Sequence, residues 1–188
     1  DIVADKRLSV RAEVYDFDSR KVWESQVKVK VEGEGCVEAF TIPFAAASLN
    51  PSTSQPLNFS RPHFIKLRLF ESGKEIASTF YWRSNSAYSE ERREEAVGPC
   101  SGGFEELVNL PRTTLKVERT AKGVRVTNTG DKLAFFVRIK AMKDGKLVVP
   151  VHYSDNYLNL LPGEAVVVAI EGLPQEAELD ISAWNTDK

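Results

Sequence analysis

The sequence predicts an all-β protein built from two small antiparallel β-sandwich domains. Short segments that alternate apolar and polar residues recur along most of the chain, as in strands with one buried face. Turn-forming pairs such as Lys122-Gly123, Asp144-Gly145 and Pro162-Gly163 separate many of these segments. The first half shows no sustained helical period. Several short strands at this spacing are typical of antiparallel sandwiches.

The composition narrows the class of protein further. Of the 188 residues, 42% are hydrophobic, which is enough for a core and argues against global disorder. A net charge of −2 gives no broad electrostatic surface for nucleic acid, and the apolar runs are too short for a membrane span. We therefore expect no nucleic-acid partner and no membrane partner.

The ends and the cysteines give weaker information. The chain begins with Asp1, shows no signal-peptide pattern, and contains Met142 as its single methionine, so we expect a fragment rather than a processed or truncated product. Cys36 and Cys100 are too few for a disulfide-stapled scaffold and too far apart for a metal motif. We interpret them as two unrelated thiols, although one bridge is the alternative.

The first domain is expected over residues 1–111. In residues 8–15, Leu8, Val10, Ala12 and Val14 share one face, which predicts a half-buried strand. Similar alternation predicts further strands at residues 27–31, 37–44, 63–70 and 76–82.

A change of composition marks the junction between the domains. Residues 45–62 are rich in Pro and Ser, and residues 84–103 contain the run SEERREE, so both are interpreted as connections. Residues 104–110 then fit one or two helical turns that end at Pro111. The second domain is therefore expected over residues 112–188, with strands at 115–117, 124–126, 133–139, 147–151, 157–161, 165–170 and 179–184.

The segment VHYSDNYLNLLPGE, residues 151–164, is the densest in aromatic, apolar and turn-forming residues. Asp155 and Asn156 can bond their own backbone and form a turn, while Tyr157 and Leu160 are expected to anchor it to the core. A calcium or sugar contact at the loop tip is the functional alternative. We favour the structural turn, because two residues cannot complete the six to eight oxygen ligands of calcium.

Other candidate site residues also have ordinary structural explanations. His63 and His152 lack companion metal ligands, so no metal or cofactor is expected. Aromatic residues on strands could form a sugar-stacking platform, although such residues are more often core or interface residues. The candidates for a carbohydrate or domain contact are Trp82, Tyr153, Asp155, Asn156 and Tyr157.

The second half resembles a known family. The motif FFVR…PVHYSDNY…LLPGE within residues 128–164 is similar to the last immunoglobulin-like domain of family two glycoside hydrolases. The most similar subgroups are the exo-β-D-glucosaminidases and the plant-type endo-β-mannosidases. In the first half, LSVRAEVYDFDSRKVWE and EIASTFYWRS resemble the preceding immunoglobulin-like domain of these enzymes.

The resemblance implies two tandem immunoglobulin-like β-sandwiches without catalytic residues. These enzymes carry their two catalytic carboxylates, roughly 5 Å apart when configuration is retained, on a separate (β/α) barrel of about 250 residues. This sequence shows no βαβ alternation, so no acidic residue inherits a catalytic role and the chain alone is expected to be inactive. A strand precedes residues 8–15 in the resembling enzymes, so the first sandwich is expected to lack its first strand.

The expected function is therefore to brace the catalytic barrel of a parent β-glycosidase, carried on the same or a companion chain. The alternative is an independent carbohydrate-binding module that contacts an oligosaccharide through exposed aromatic residues. A third interpretation is an adhesion or scaffolding module. A periplasmic or secreted location is expected if the parent is a bacterial polysaccharide-degrading enzyme.

Overall fold

The computed structural model describes residues 6–32, 35–44, 57–84 and 104–187. The chain divides into two compact units, Asp1–Leu107 and Val108–Lys188. All strand pairs in the described residues are antiparallel, which confirms the all-β class. The domain limits taken from the sequence, 1–111 and 112–188, remain a proposal.

The described strands of the first unit form one four-stranded sheet in the order β2-β1-β3-β4. Its strands are β1 Lys6–Tyr15, β2 Lys21–Val31, β3 His63–Glu71 and β4 Lys74–Arg83. Val10 lies opposite Val27 and Leu69, whereas the next residue, Arg11, lies opposite Gln26 and Arg68. The predicted alternation therefore produces one apolar face and one charged face.

A buried carboxylate lies on the charged face. Glu13 is almost fully buried, and it accepts hydrogen bonds from Arg68 and from Lys21, the latter at 3.3 Å. A buried charge is tolerated when it is paired in this way. The charged face is therefore partly desolvated near Glu13, rather than being a uniformly solvated surface.

The strand predicted at residues 37–44 is wrong. In this segment the described structure contains only an isolated bridge between Phe44 and Leu57. Its aromatic residues instead cover the sheet, because Phe40 packs edge-on against Trp23 with ring centroids 6.0 Å apart and Phe44 lies 5.3 Å from the His63 ring.

Several sequence predictions concern the edge strands of the first sheet or residues near or outside the limits of the described ranges. β1 is flanked on both sides, so the edge strands are β2 and β4, and the missing first strand stays a prediction. The run SEERREE and Cys100 lie outside the described residues, whereas Cys36 is exposed. The helical turns expected before Pro111 are confirmed as a 3₁₀ helix, Glu105–Asn109.

The second unit is a two-sheet sandwich. One sheet has the order β10-β7-β12, with β8 also paired to β7, and the other has the order β5-β6-β11-β9. The strands are β5 Leu115–Thr120, β6 Gly123–Asn128, β7 Ala134–Lys143, β8 Lys146–Leu147, β9 His152–Tyr153, β10 Leu158–Leu160, β11 Ala165–Glu171 and β12 Glu178–Ser182. The core between them contains Val124, Val126, Val137, Ile139 and Val168, together with other buried apolar residues.

Two buried asparagines bond backbone groups at one end of this sandwich. Asn128 donates to the carbonyl oxygens of Lys132 and Leu160, at 2.7 and 2.8 Å, and its own side-chain oxygen accepts two further hydrogen bonds. Asn185 donates to the carbonyl oxygens of Pro111 and Leu133 and accepts from the amide of Phe135. Each amide thereby supplies hydrogen-bond partners to backbone groups of the surrounding loops and strand ends.

In the described part of the chain, no helix combines the length and the apolar character that crossing a lipid bilayer requires.

Candidate functional site

The candidate site is the corner between β9 and β10, residues 154–157. Asn156 holds it to β7: its Oδ1 accepts the amide of Ile139 at 2.8 Å, and its Nδ2 donates to the carbonyl oxygen of Ile139 at 3.0 Å. The same Oδ1 accepts the amide of Tyr157 at 2.9 Å. One side-chain amide thus replaces the two hydrogen bonds that a neighbouring strand would make.

The rest of the corner is fixed to the opposite sheet. The Ser154 amide donates to the carbonyl oxygen of Ala169, and the Ser154 hydroxyl accepts the Ala169 amide, both at 2.9 Å. Asp155 accepts the amide of Asn156 at 2.8 Å, which is the local turn bond expected from the sequence. The corner is therefore attached to both sheets of the sandwich.

Tyr153 has a structural role across the same sandwich. It is half-buried against the core, and its hydroxyl accepts the backbone amide of Ala141 at 2.9 Å. Its polar tip is thus satisfied inside the protein, as is common for buried tyrosines.

The expectation that Tyr157 anchors the corner to the core is wrong. Its side chain is 51% exposed, whereas Leu158 and Leu160 are buried and make the core contacts. The Tyr157 ring instead meets Phe136 edge-on at 6.0 Å, and the Arg138 guanidinium lies 5.9 Å from the ring centre. We call the surface formed by Phe136, Arg138 and Tyr157 the corner face.

Two residues of the corner face have an unusual backbone conformation. Phe136 and Tyr157 have φ values of +52° and +56°, in the left-handed region that non-glycine residues rarely occupy. Residues 135 and 136 form a bulge, because Val137 pairs with Leu158 whereas Ala134 pairs with Leu160. The Asn159 side chain accepts the freed amide of Phe136 at 3.1 Å.

This geometry costs stability. A left-handed conformation costs about 1 to 2 kcal/mol for a residue with a side chain, and the corner face contains two such residues. Strained residues of this kind cluster at functional sites. The corner face is therefore the strongest candidate for an interaction surface in the second unit.

A glycine at position 157 tests this strain directly. Tyr157→Gly should change the free energy of unfolding by less than about 1 kcal/mol, because relief of the left-handed strain offsets the lost contacts of a half-exposed ring. The matched control is Tyr153→Ala, which removes a packed ring and should cost about 3 kcal/mol. Urea unfolding of both variants measures this difference; equal losses would show that the Tyr157 ring is structural.

The remaining predicted residue, Trp82, belongs to the other unit. It lies on β4 opposite Phe64 and is 36% exposed. Its neighbour Tyr81 is 51% exposed but points to the opposite face of the strand. Tyr153, Asp155, Asn156 and Tyr157 are thus brought together at one corner, whereas Trp82 lies in the first unit.

No group of three or more His, Cys, Asp or Glu side chains within the described ranges could hold a metal ion. His152 is exposed on β9, and His63 is buried in the first unit. The absence of a cofactor remains an expectation.

Two family models match the chain, one for each half. The model for the exo-β-D-glucosaminidase Ig-fold domain matches residues 100–186, and the model for the mannosidase Ig/CBM-like domain matches residues 1–85. The chain therefore belongs to the immunoglobulin-like domains of family two glycoside hydrolases.

Solved structures show the same fold for these immunoglobulin-like domains. The exo-chitosanase CsxA of Amycolatopsis orientalis matches with a TM-score of 0.64 and 20% identity, over 96% of this chain and 23% of that chain. The exo-β-D-glucosaminidase CsxA in an inhibitor complex matches with a TM-score of 0.60 and 23% identity, with the same coverage. The chain thus spans about a quarter of the length of these structures. No curated protein sequence matches it.

Sequence reasoning missed part of the site in these immunoglobulin-like domains. Phe136 and Arg138 belong to the motif that carries the resemblance, but they were not candidate site residues. The available signal was the pair Phe135-Phe136 in a predicted strand, because two adjacent residues of a regular strand cannot both face the core of the sandwich.

Proposed function

We propose that the chain is a non-catalytic accessory region of a glycosidase of the β-mannosidase or exo-β-glucosaminidase type. Its role is to brace the catalytic barrel carried elsewhere in the parent protein, on the same or a companion chain. On this proposal the chain has no glycosidase activity of its own.

The corner face carries this proposal. It presents two aromatic side chains and one guanidinium at the surface, and two asparagine side chains hold the strained backbone beneath them. Aromatic residues and arginine are the residue types most enriched at the energetic centres of protein interfaces. The coverage of only 23% of the CsxA chain supports the view that a larger protein provides the contacting surface.

The independent carbohydrate-binding module is less well supported. A sugar platform needs aromatic rings that share one face, but Tyr81 and Trp82 are adjacent on β4 and point to opposite faces. Tyr157 meets Phe136 edge-on at an interplanar angle of 65°, so these two rings do not form a flat platform.

A pair of matched tyrosine variants tests the proposal. The chain is mixed with the barrel-bearing part of its parent enzyme, and the dissociation constant is measured by calorimetry. Tyr157→Ala should weaken association at least tenfold, because a central aromatic anchor contributes about 1.4 kcal/mol or more. The control is Tyr81→Ala, since Tyr81 has the same exposed fraction, 51%, and should leave association unchanged.

The outcome separates the two functions. Equal effects of the two variants, or no association of the unsubstituted chain with the barrel-bearing part, would contradict a bracing role for the corner face. Binding of manno- or chitooligosaccharides by the isolated chain, lost in Tyr157→Ala, would instead support the carbohydrate-binding module.

A further inference from the structure

The charged face of the first sheet contains a groove at the end formed by the start of β1. The groove has a volume of 470 Å³ and is lined by Arg7, Ser9, Lys28, Lys30 and Phe70, together with the turn at residues 72–73. This volume lies in the range of small-molecule sites, roughly 300 to 1,000 Å³. The groove belongs to the first unit, whereas the corner face belongs to the second.

The rim of this groove holds an excess of positive charge. Arg7 lies directly opposite Lys30, and Lys28 lies opposite Ser9, so three cations occupy adjacent positions on two strands. Lys30 pairs with Glu32 at 2.8 Å, but Arg7 and Lys28 form no ion pair with any described residue. Arg7 and Lys30 are like charges directly opposite each other, which destabilises a sheet, and Glu32 offsets only the charge of Lys30.

The floor and one wall of the groove are held in place. The Arg11 guanidinium lies 5.5 Å from the centre of the Phe70 ring and is bonded to Gln26 at 2.8 and 3.0 Å. Gln26 in turn donates to the Ser9 hydroxyl at 2.8 Å. The groove therefore combines an aromatic ring, a hydrogen-bonded network of polar side chains and two cations that no described residue pairs.

We propose that this groove binds an acidic oligosaccharide, with the carboxylate or sulfate of one sugar unit between Arg7 and Lys28. Arginine and lysine are the side chains that recognise such anions, and Arg7 can form a forked pair of hydrogen bonds with a carboxylate. A sugar ring also offers an apolar face to Phe70 and hydroxyl groups to Ser9. This inference concerns the first unit alone and is independent of the bracing function.

Titration of the isolated chain tests the inference. A short galacturonic acid oligomer supplies the carboxylate arm, a sulfated oligosaccharide supplies the sulfate arm, and a neutral manno-oligosaccharide is the reference. At about 0.15 M salt, where exposed charges are screened beyond about 8 Å, one or both acidic ligands should bind saturably and the neutral ligand should not. The amide signals that shift should belong to β1, β2 and residues 72–73.

A pair of charge-matched variants establishes where the ligand binds. Arg7→Gln with Lys28→Gln should weaken binding at least tenfold, with no fall in the unfolding midpoint, because both side chains are exposed and neither forms an ion pair with a described residue. Lys122→Gln with Lys146→Gln removes the same charge from exposed positions of the second unit and should have no effect. Absence of saturable binding, equal losses in both variants, or tighter binding of a glutamate oligomer than of the sugars would each overturn the inference.

Discussion

Replacing Asn128 by alanine should lower the free energy of unfolding of the second unit by about 4 kcal/mol. The side chain is completely buried and makes four hydrogen bonds, to Thr113, Gly130, Lys132 and Leu160. Alanine leaves the Leu160 carbonyl oxygen and the Gly130 amide without their side-chain partner, and each buried polar group without a partner costs about 1 to 3 kcal/mol. The Lys132 carbonyl oxygen keeps the Thr113 hydroxyl at 3.0 Å. Urea unfolding, followed through the amide signals of β6 and β7, measures the loss.

Asn159→Ala provides the matched control in the same unit. Asn159 is half-buried and bonds the Phe136 amide, so its removal should cost about 1 kcal/mol. If Asn128→Ala were no more harmful than Asn159→Ala, the buried asparagine would not be the element that joins β6 to the following loop and β10.

The stability of the first unit should fall by about 3 kcal/mol as the pH is lowered from 7 to 4 through the titration of His63. His63 is 4% exposed and stacks on Phe59 with ring centroids 4.1 Å apart. Among the described residues, neither of its ring nitrogens has a partner at good hydrogen-bond geometry. Burial, aided by the nearby charge of Arg83 and opposed by the Arg61 backbone, lowers the pKa of His63 from 6.5 to about 4.

Proton binding explains why lower pH destabilises the first unit. Between pH 6.5 and 4 the unfolded chain binds the His63 proton and the folded chain does not, so each step to lower pH favours unfolding. The stabilisation is complete above pH 6.5 and is lost as the pH approaches 4. His63→Phe keeps an aromatic ring between Phe44 and Phe59 but removes the titration, so its unfolding should depend less on pH.

Comparison of the two proteins isolates the histidine from the carboxylates, which also titrate in this range. The measurement is the free energy of unfolding at several pH values, followed through the amide signals of β1 and β3. If the free energy of unfolding changed equally with pH in the unsubstituted protein and in His63→Phe, His63 would be accessible to protons in the folded state.

Alternation of apolar and polar residues was sufficient to predict most strands. It places β1, β3 and β4 almost at their observed limits, because apolar and polar residues alternate along much of these segments of the sequence. The same pattern misled at residues 37–44, where Phe40 and Phe44 pack against rings that are distant in sequence. Local pattern contains no information about such tertiary contacts.

The candidate site was predictable only in part for a similar reason. The turn at Asp155 and Asn156 follows from their side-chain chemistry. The exposure of Tyr157 does not, since it depends on its left-handed backbone and on the bulge at Phe136. An apolar pattern indicates that an aromatic residue is suited to burial, but it cannot show that the backbone directs that residue outward.

The hydrogen bond between Asn156 and the Ile139 amide makes release of the corner distinguishable from unpairing of the strands. The Ile139 amide is shielded from solvent by a side chain of the corner rather than by a neighbouring strand, although Ile139 itself lies in the core. Native proteins open locally in units with different free energies, and hydrogen exchange reports each unit separately. Release of the corner exposes this amide while the strands remain paired, so the exchange lifetime of one residue in the middle of the core reflects the mobility of a surface corner.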